Sequence, residues 1–134
     1  MAQKDIELLI KDLSARLPYN VYVYFKTRYR CNAITDVLDG AIYTYIETHL
    51  LEDDGENEID IIKPYLRPMS SMTKEERLIY EQRLHDVGRS IDVIDADDVV
   101  PHIDWLLSHH FDFRGLISMG LALEAPEGMY NINE

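Results

Sequence analysis

The sequence predicts an α+β fold. Three observations carry it: an apolar stripe of helical period opens the chain, alternating residues fill its middle, and helical spacing returns beyond Pro64 and Pro68. Helix, then sheet, then helices argues against a parallel α/β fold, which needs strands and helices to alternate. The predicted architecture is an N-terminal helix, a four-stranded antiparallel meander compatible with closure into a small barrel, and two to three C-terminal helices. A length of 134 residues suits a single domain. Its parts are helix 4–17, sheet 20–63, helical part 73–120, and a tail over 124–134 that is expected to fray.

Each element has its own signal. Ile6, Leu9, Ile10, Leu13 and Leu17 recur at spacings of three and four. Asp5 reads as the N-cap of this helix, and Pro18 stops it near Leu17. Val21, Val23 and Phe25 alternate with Tyr22 and Tyr24, which predicts a strand. Lys26-Thr27-Arg28 turns the chain into a second strand over 29–38. Asp39-Gly40 is the strongest hairpin signal, because a type I′ turn needs positive φ at both central residues. Residues 41–48 then read as a third strand, with Ile42, Thr44 and Ile46 on one face and Tyr43 and Tyr45 on the other. A polar loop over 51–57 leads to a fourth strand at 58–63. Tyr22, Tyr24, Tyr43 and Tyr45, if they share a face, would either pack under a helix or form a recognition surface.

Pro64 and Pro68 lack the N–H a central strand needs, so the sheet is expected to end there. Thr73 and Glu76 form a capping box for the next helix, whose inner stripe is Tyr80, Leu84 and Val87. Asp97 or Asp98 caps a further helix, with Pro101 in its first turn and Ile103, Leu106, Leu107 and His110 inside. Asp112 caps a last short helix over 113–119, and Gly120 stops it.

The formal net charge is −12, and it is segregated. Residues 1–30 hold six basic and three acidic side chains; residues 31–62 hold nine acidic and no basic ones. Residues 63–90 hold six basic and four acidic; residues 91–134 hold nine acidic and only Arg114 as a basic one. Direct binding to nucleic acid or to an anionic membrane is disfavoured, since both need clustered Lys and Arg. A basic partner is permitted. No apolar run approaches the roughly 18 residues of a membrane span.

Tests for chemistry return little. His102 and His109 would stand about 10.5 Å apart along one helix, long for two ligands of one ion. The i, i+4 zinc spacing is absent. Asp95-Ala96-Asp97-Asp98 begins like a calcium loop, but Val99 and Val100 stand where an oxygen ligand and a glycine are needed. Neither a nucleophile elbow nor a glycine-rich phosphate loop is present. Cys31 falls mid-strand, away from a helix N-terminus or a histidine that would activate it. As the one cysteine it forms no internal disulfide, which fits a reducing, cytoplasmic setting. No catalytic residue, cofactor or metal ligand is assigned.

Three stretches are distinctive: KDLSARLPY at 11–19; IKPYLRPMSSMT at 62–73; and DWLL at 104–107 with HFDFRGLI at 110–117 and GLA at 120–122. Together they resemble a family of short proteins from gut Bacteroidetes genomes and their phages. Between the first two stretches the chain departs from the family pattern in length and sequence. The resemblance carries over no catalytic residue. It implies a bacterial or phage cytoplasm and a mobile-element context.

The functional expectation is a non-enzymatic accessory or protein-interaction module. A rigid segment displaying Tyr65, Arg67 and Met69 before a capped helix reads as a docking edge, with His109, His110 and Arg114 as further partner-binding candidates. The structural alternative has Tyr65 and Leu66 sealing the sheet while Arg67 pairs with an acid. A sharper form of the module is an acidic mimic of nucleic acid, which requires the blocks 31–62 and 91–134 to share a face. A different class, a small-ligand protein or enzyme, would use His85, His102, His109 or His110 with Asp104 or Asp112. The partner expected is a protein, basic in the sharper form, and a homo-oligomer is left open.

Overall fold

The computed structural model describes residues 3–26, 33–52, 62–87 and 96–130. Among them it forms four α-helices and a four-stranded sheet, so the mixed α+β class holds. Helix α1 spans Gln3–Arg16 and passes into a 3-10 turn at Leu17–Tyr19, with Pro18 where expected. Asp5 lies in the first turn of α1, not at its cap. Strands β1 (Tyr22–Lys26) and β2 (Ala33–Val37) pair antiparallel, and Leu38 N–H to Val21 O extends the ladder by a bond of 2.7 Å.

The predicted third strand is a helix. Residues Gly40–Glu52 form α2. Asp39 does not make a hairpin; its Oδ1 accepts from the N–H groups of Ala41 (2.9 Å) and Ile42 (3.0 Å), as an N-cap does. Two β-branched residues are accommodated by bonding their hydroxyls back one turn, Thr44 to Gly40 O and Thr48 to Thr44 O, each 2.9 Å. The alternation of 41–48 conceals an i, i+4 pair, Ile42 half-buried and Ile46 fully buried. The four tyrosines therefore do not line one sheet face. Tyr22 and Tyr24 stand on β1, while positions 43 and 45 fall within α2.

Strand β3 is Ile62–Leu66, later than the predicted fourth strand, and it pairs antiparallel with β1. Pro64 does not end the sheet but lies inside β3 opposite Val23. Leu66 C=O accepts from Ala125 N–H at 2.8 Å, so its peptide groups face away from β1. Pro64, two residues back, faces the same way, toward an edge that strand β4 (Leu123–Glu124) has not yet reached. Its missing N–H therefore removes no ladder bond. The sheet order is β2-β1-β3-β4. It is mixed, not a purely antiparallel meander, because β4 pairs parallel with β3. Two helices intervene between them, and such a crossover is what a parallel pair needs.

Those helices are α3 (Lys74–Val87) and α4 (Ala96–Ser108). The capping box of α3 forms as read: Thr73 N–H to Glu76 Oε1 is 2.9 Å and Glu76 N–H to Thr73 Oγ1 is 3.1 Å. Residues 113–119 are turns, not a helix. Gly115 and Gly120 take φ of +76° and +77°, which continuous helix does not allow. Asp112 still caps this segment, accepting from Leu116 N–H (2.8 Å) and Ile117 N–H (3.0 Å).

One core gathers Leu9 and Leu13 of α1, Val21 and Val23 of β1, Ile46 of α2, Ile62 and Leu66 of β3, and Leu116, Leu121 and Tyr130. A second cluster of Trp105, Leu106 and Phe111 joins α4 to Met69, Met72 and Tyr80. The tail is not frayed through 130: β4 seats it, and Tyr130 is only 9% exposed. Cys31, Gly88 and residues 53–57 of the loop lie outside the described residues, as do residues 31–32, 53–61, 91–95 and 131–134 of the acidic blocks.

Candidate functional site

The ionisable residues converge on the turn that ends α4. His110 N–H bonds to Leu107 O (3.0 Å) and Phe111 N–H to Leu106 O (3.0 Å), the two bonds of a Schellman motif. His110 occupies the left-handed position, with φ +63°, where glycine or asparagine is usual. The apolar contact of that motif is also present, Phe111 against Leu106.

Arginines hold the turn from two sides. Arg67 N–H donates to His110 O (2.8 Å), and its Nη1 donates to His109 O (3.2 Å). Arg16 Nη2 donates to Phe111 O (2.8 Å). Three consecutive carbonyls, 109 to 111, thus each accept from an arginine residue. Asp112 N–H closes the frame by donating to Arg67 O at 2.9 Å.

Each guanidinium is neutralised where it is buried. Arg67 forks onto Glu76 with bonds of 2.8 and 2.6 Å, and its guanidinium carbon lies 4.2 Å from the centroid of the Phe111 ring. Burial alone would raise the Glu76 pKa; the Arg67 bonds, the Thr73 N–H and the Arg67 charge together hold it below the usual value. Arg16 and Asp12, both fully buried, pair at 2.7 Å across one turn of α1. Arg114 reaches the same carboxylate at 3.1 Å, and the ring of Phe113 lies near both arginines, 5.5 Å from Arg16 and 5.0 Å from Arg114.

His110 and Tyr130 form the centre. Their rings stack with centroids 3.8 Å apart. Tyr130 Oη accepts from Tyr22 N–H (2.9 Å) and donates to Tyr65 O (2.7 Å). In the β1–β3 register Tyr22 is the next partner of Tyr65 after Val23 and Pro64. The hydroxyl therefore bridges one rung where the two strands part. Burial pushes the Tyr130 phenol well above its ordinary range. Burial, with the charges of Arg16, Arg67 and His109, pushes His110 down to about 4.

The six partner-binding candidates are largely structural participants. Arg67 is buried, Tyr65 is half-buried with its carbonyl engaged, and Met69 packs on the Trp105 cluster. His109 is half-buried, with Nδ1 3.0 Å from Trp105 O and its ring 4.7 Å from that of Trp105. The structure brings Arg67, His109 and His110 together, and reaches Tyr65 through Tyr130; Arg114 joins the Asp12 side. His102 is remote from these, buried against Tyr80 at 5.4 Å, and burial followed by the Arg83 charge lowers its pKa. Among the described residues no three His, Cys, Asp or Glu side chains cluster as metal ligands would, and no helix is long and apolar enough to cross a membrane.

Asp12, Arg16 and Tyr130 were not legible as site residues. Asp12 and Arg16 could have been noticed, because they fall on the same arc of α1 as Leu9 and Leu13. Tyr130 had no local signal.

A groove of about 260 Å³ opens beside this network. Arg67 and Pro68 form one wall, and residues 124–128 with Tyr130 form the other. No family model, no curated protein and no solved structure matches the chain.

Proposed function

We propose that this chain is a non-enzymatic protein-interaction module whose partner presents a basic surface. One observation carries the proposal: within residues 96–130 the one basic side chain and the surface carboxylates differ in where they point. Arg114 turns inward onto Asp12, while Asp104, Glu124 and Glu127 stand exposed. Net negative charge is thereby presented outward, which steers and orients a partner of opposite sign. Asp12 and Glu76 hold the two arginines that bond the 109–111 carbonyls, and Asp112 caps the segment that follows. Such bonds build a rigid frame for display. The accessory role and the bacterial or phage setting implied by the sequence resemblance belong to the same proposal.

The test is fluorescence anisotropy with labelled oligolysine, oligoglutamate and duplex DNA. Oligolysine is expected to bind, more weakly as salt shortens the Debye length below about 10 Å, and the two anionic probes are not. Replacing Asp104, Glu124 and Glu127 by their amides should weaken binding more than replacing Glu7, Glu75 and Glu81. Equal weakening, or preference for DNA, would overturn the proposal.

A further inference from the structure

We infer that the groove beside Arg67 is the seat for a single lysine or arginine side chain of that partner; the inference rests on the interaction-module reading. Its size favours one side chain. At about 260 Å³ it lies below the roughly 300–1,000 Å³ of clefts that hold cofactors and drug-sized ligands.

Its chemistry favours a cation over an anion. Pro68 and Pro126 carry no N–H to offer. Ala125 N–H is engaged by Leu66 O at 2.8 Å. The guanidinium of Arg67 is held by Glu76 and His109 O. The remaining charged groups of the lining are the carboxylates of Glu124 and Glu127, both exposed. The apolar parts of the lining suit the long stem of a basic residue. Pro68, Pro126 and the ring edge of Tyr130 would cover its methylenes while the head meets the carboxylates.

The walls are set before any ligand arrives. Tyr130 is fixed by its two hydroxyl bonds and the His110 stack. Pro68 O is tied by Ser71 Oγ at 2.6 Å, and Pro126 O by Met129 N–H at 3.1 Å. A preformed pocket lowers the ordering cost of binding.

The experiment is an NMR titration of the full chain with a capped pentapeptide carrying one central lysine. Amide shifts are expected at Ser71, Ala125, Glu127 and Gly128, and not with the same peptide carrying glutamine in place of lysine. Glu124→Gln with Glu127→Gln should weaken binding roughly fivefold, as losing partly exposed ion pairs does. Glu7→Gln with Glu81→Gln should leave it unchanged. Glu127→Gln alone, outside β4, serves the same purpose if the edge strand does not tolerate change. Shifts scattered over the surface would overturn the groove; the basic-partner reading is decided separately, by whether oligolysine binds and distinguishes the two sets of three replacements. Failure of oligolysine to bind would remove that reading as well.

Discussion

The imidazole of His110 lies flat against the ring of Tyr130, the centroids 3.8 Å apart and the planes 14° from parallel. That stack joins the end of α4 to the seam between β1 and β3. It also accounts for a histidine in a left-handed position that glycine would fill with less strain.

Removing one oxygen from this arrangement should be costly. In Tyr130→Phe the ring and its stack stay, but Tyr22 N–H and Tyr65 C=O lose their shared partner. An expected loss of about 1–2 kcal/mol in urea unfolding follows from leaving two partly buried backbone groups unpaired. Hydrogen exchange at Tyr22 should accelerate beyond that of the neighbouring ladder amides. A loss below a few tenths of a kcal/mol would contradict the bridging role.

Stability should fall in mild acid. The unfolded imidazole titrates near 6.5, whereas folded His110 is held down to about 4. Between those values the unfolded chain binds a proton that the folded chain refuses, so stability decreases as pH falls through the window. The lowered His102 adds in the same direction. The His110 contribution, discounted for its solvent-facing side, is on the order of 1–2 kcal/mol. His110→Asn keeps a residue that tolerates the left-handed conformation, and should flatten the slope between pH 6.5 and 5. An unchanged slope in that variant would assign the effect elsewhere.

The Arg67–Glu76 pair should behave as a unit. Arg67→Met leaves a buried carboxylate and removes the guanidinium bond to His109 O, for an expected loss of about 3–5 kcal/mol. Adding Glu76→Gln should cost less than the two single losses together, with a coupling on the order of 1–3 kcal/mol. Arg67→Lys should not rescue, because an ammonium cannot fork onto Glu76 while lying over Phe111. Additive effects in the cycle would mean the two residues act separately.

Asp39 should decide the state of the segment that follows it. Asp39→Ala removes the bonds to Ala41 and Ile42 N–H, at an expected cost of about 1 kcal/mol. Far-ultraviolet circular dichroism should show helix lost ahead of global unfolding. Asp39→Asn and Asp39→Ser should largely restore it, since each still offers a capping oxygen.

What the sequence disclosed follows from how local each signal is. The α1 stripe, the stop at Pro18 and the Thr73–Glu76 capping box are written within a few residues, and all three were legible. So was the choice between docking edge and ion pair at Arg67, although its partner could not be named. Asp39-Gly40 failed as a signal because the same dipeptide serves a hairpin turn and a helix N-terminus, and tertiary packing of Ile46 selected the second. The parallel strand β4 and the Tyr130 bridge were invisible for a different reason. Tyr130 meets Tyr22 across 108 positions, and no periodicity reports a contact at that range.

That separation sets an order of events during synthesis. On a ribosome, α1 and the β1–β2 hairpin can form from contacts near in sequence well before residue 130 is added. The rung between Tyr22 and Tyr65 stays open until residue 130 has left the exit tunnel. A nascent chain arrested before that point would present a parted strand edge to whatever is nearby, so this rung closes after the β1–β2 hairpin and not with it.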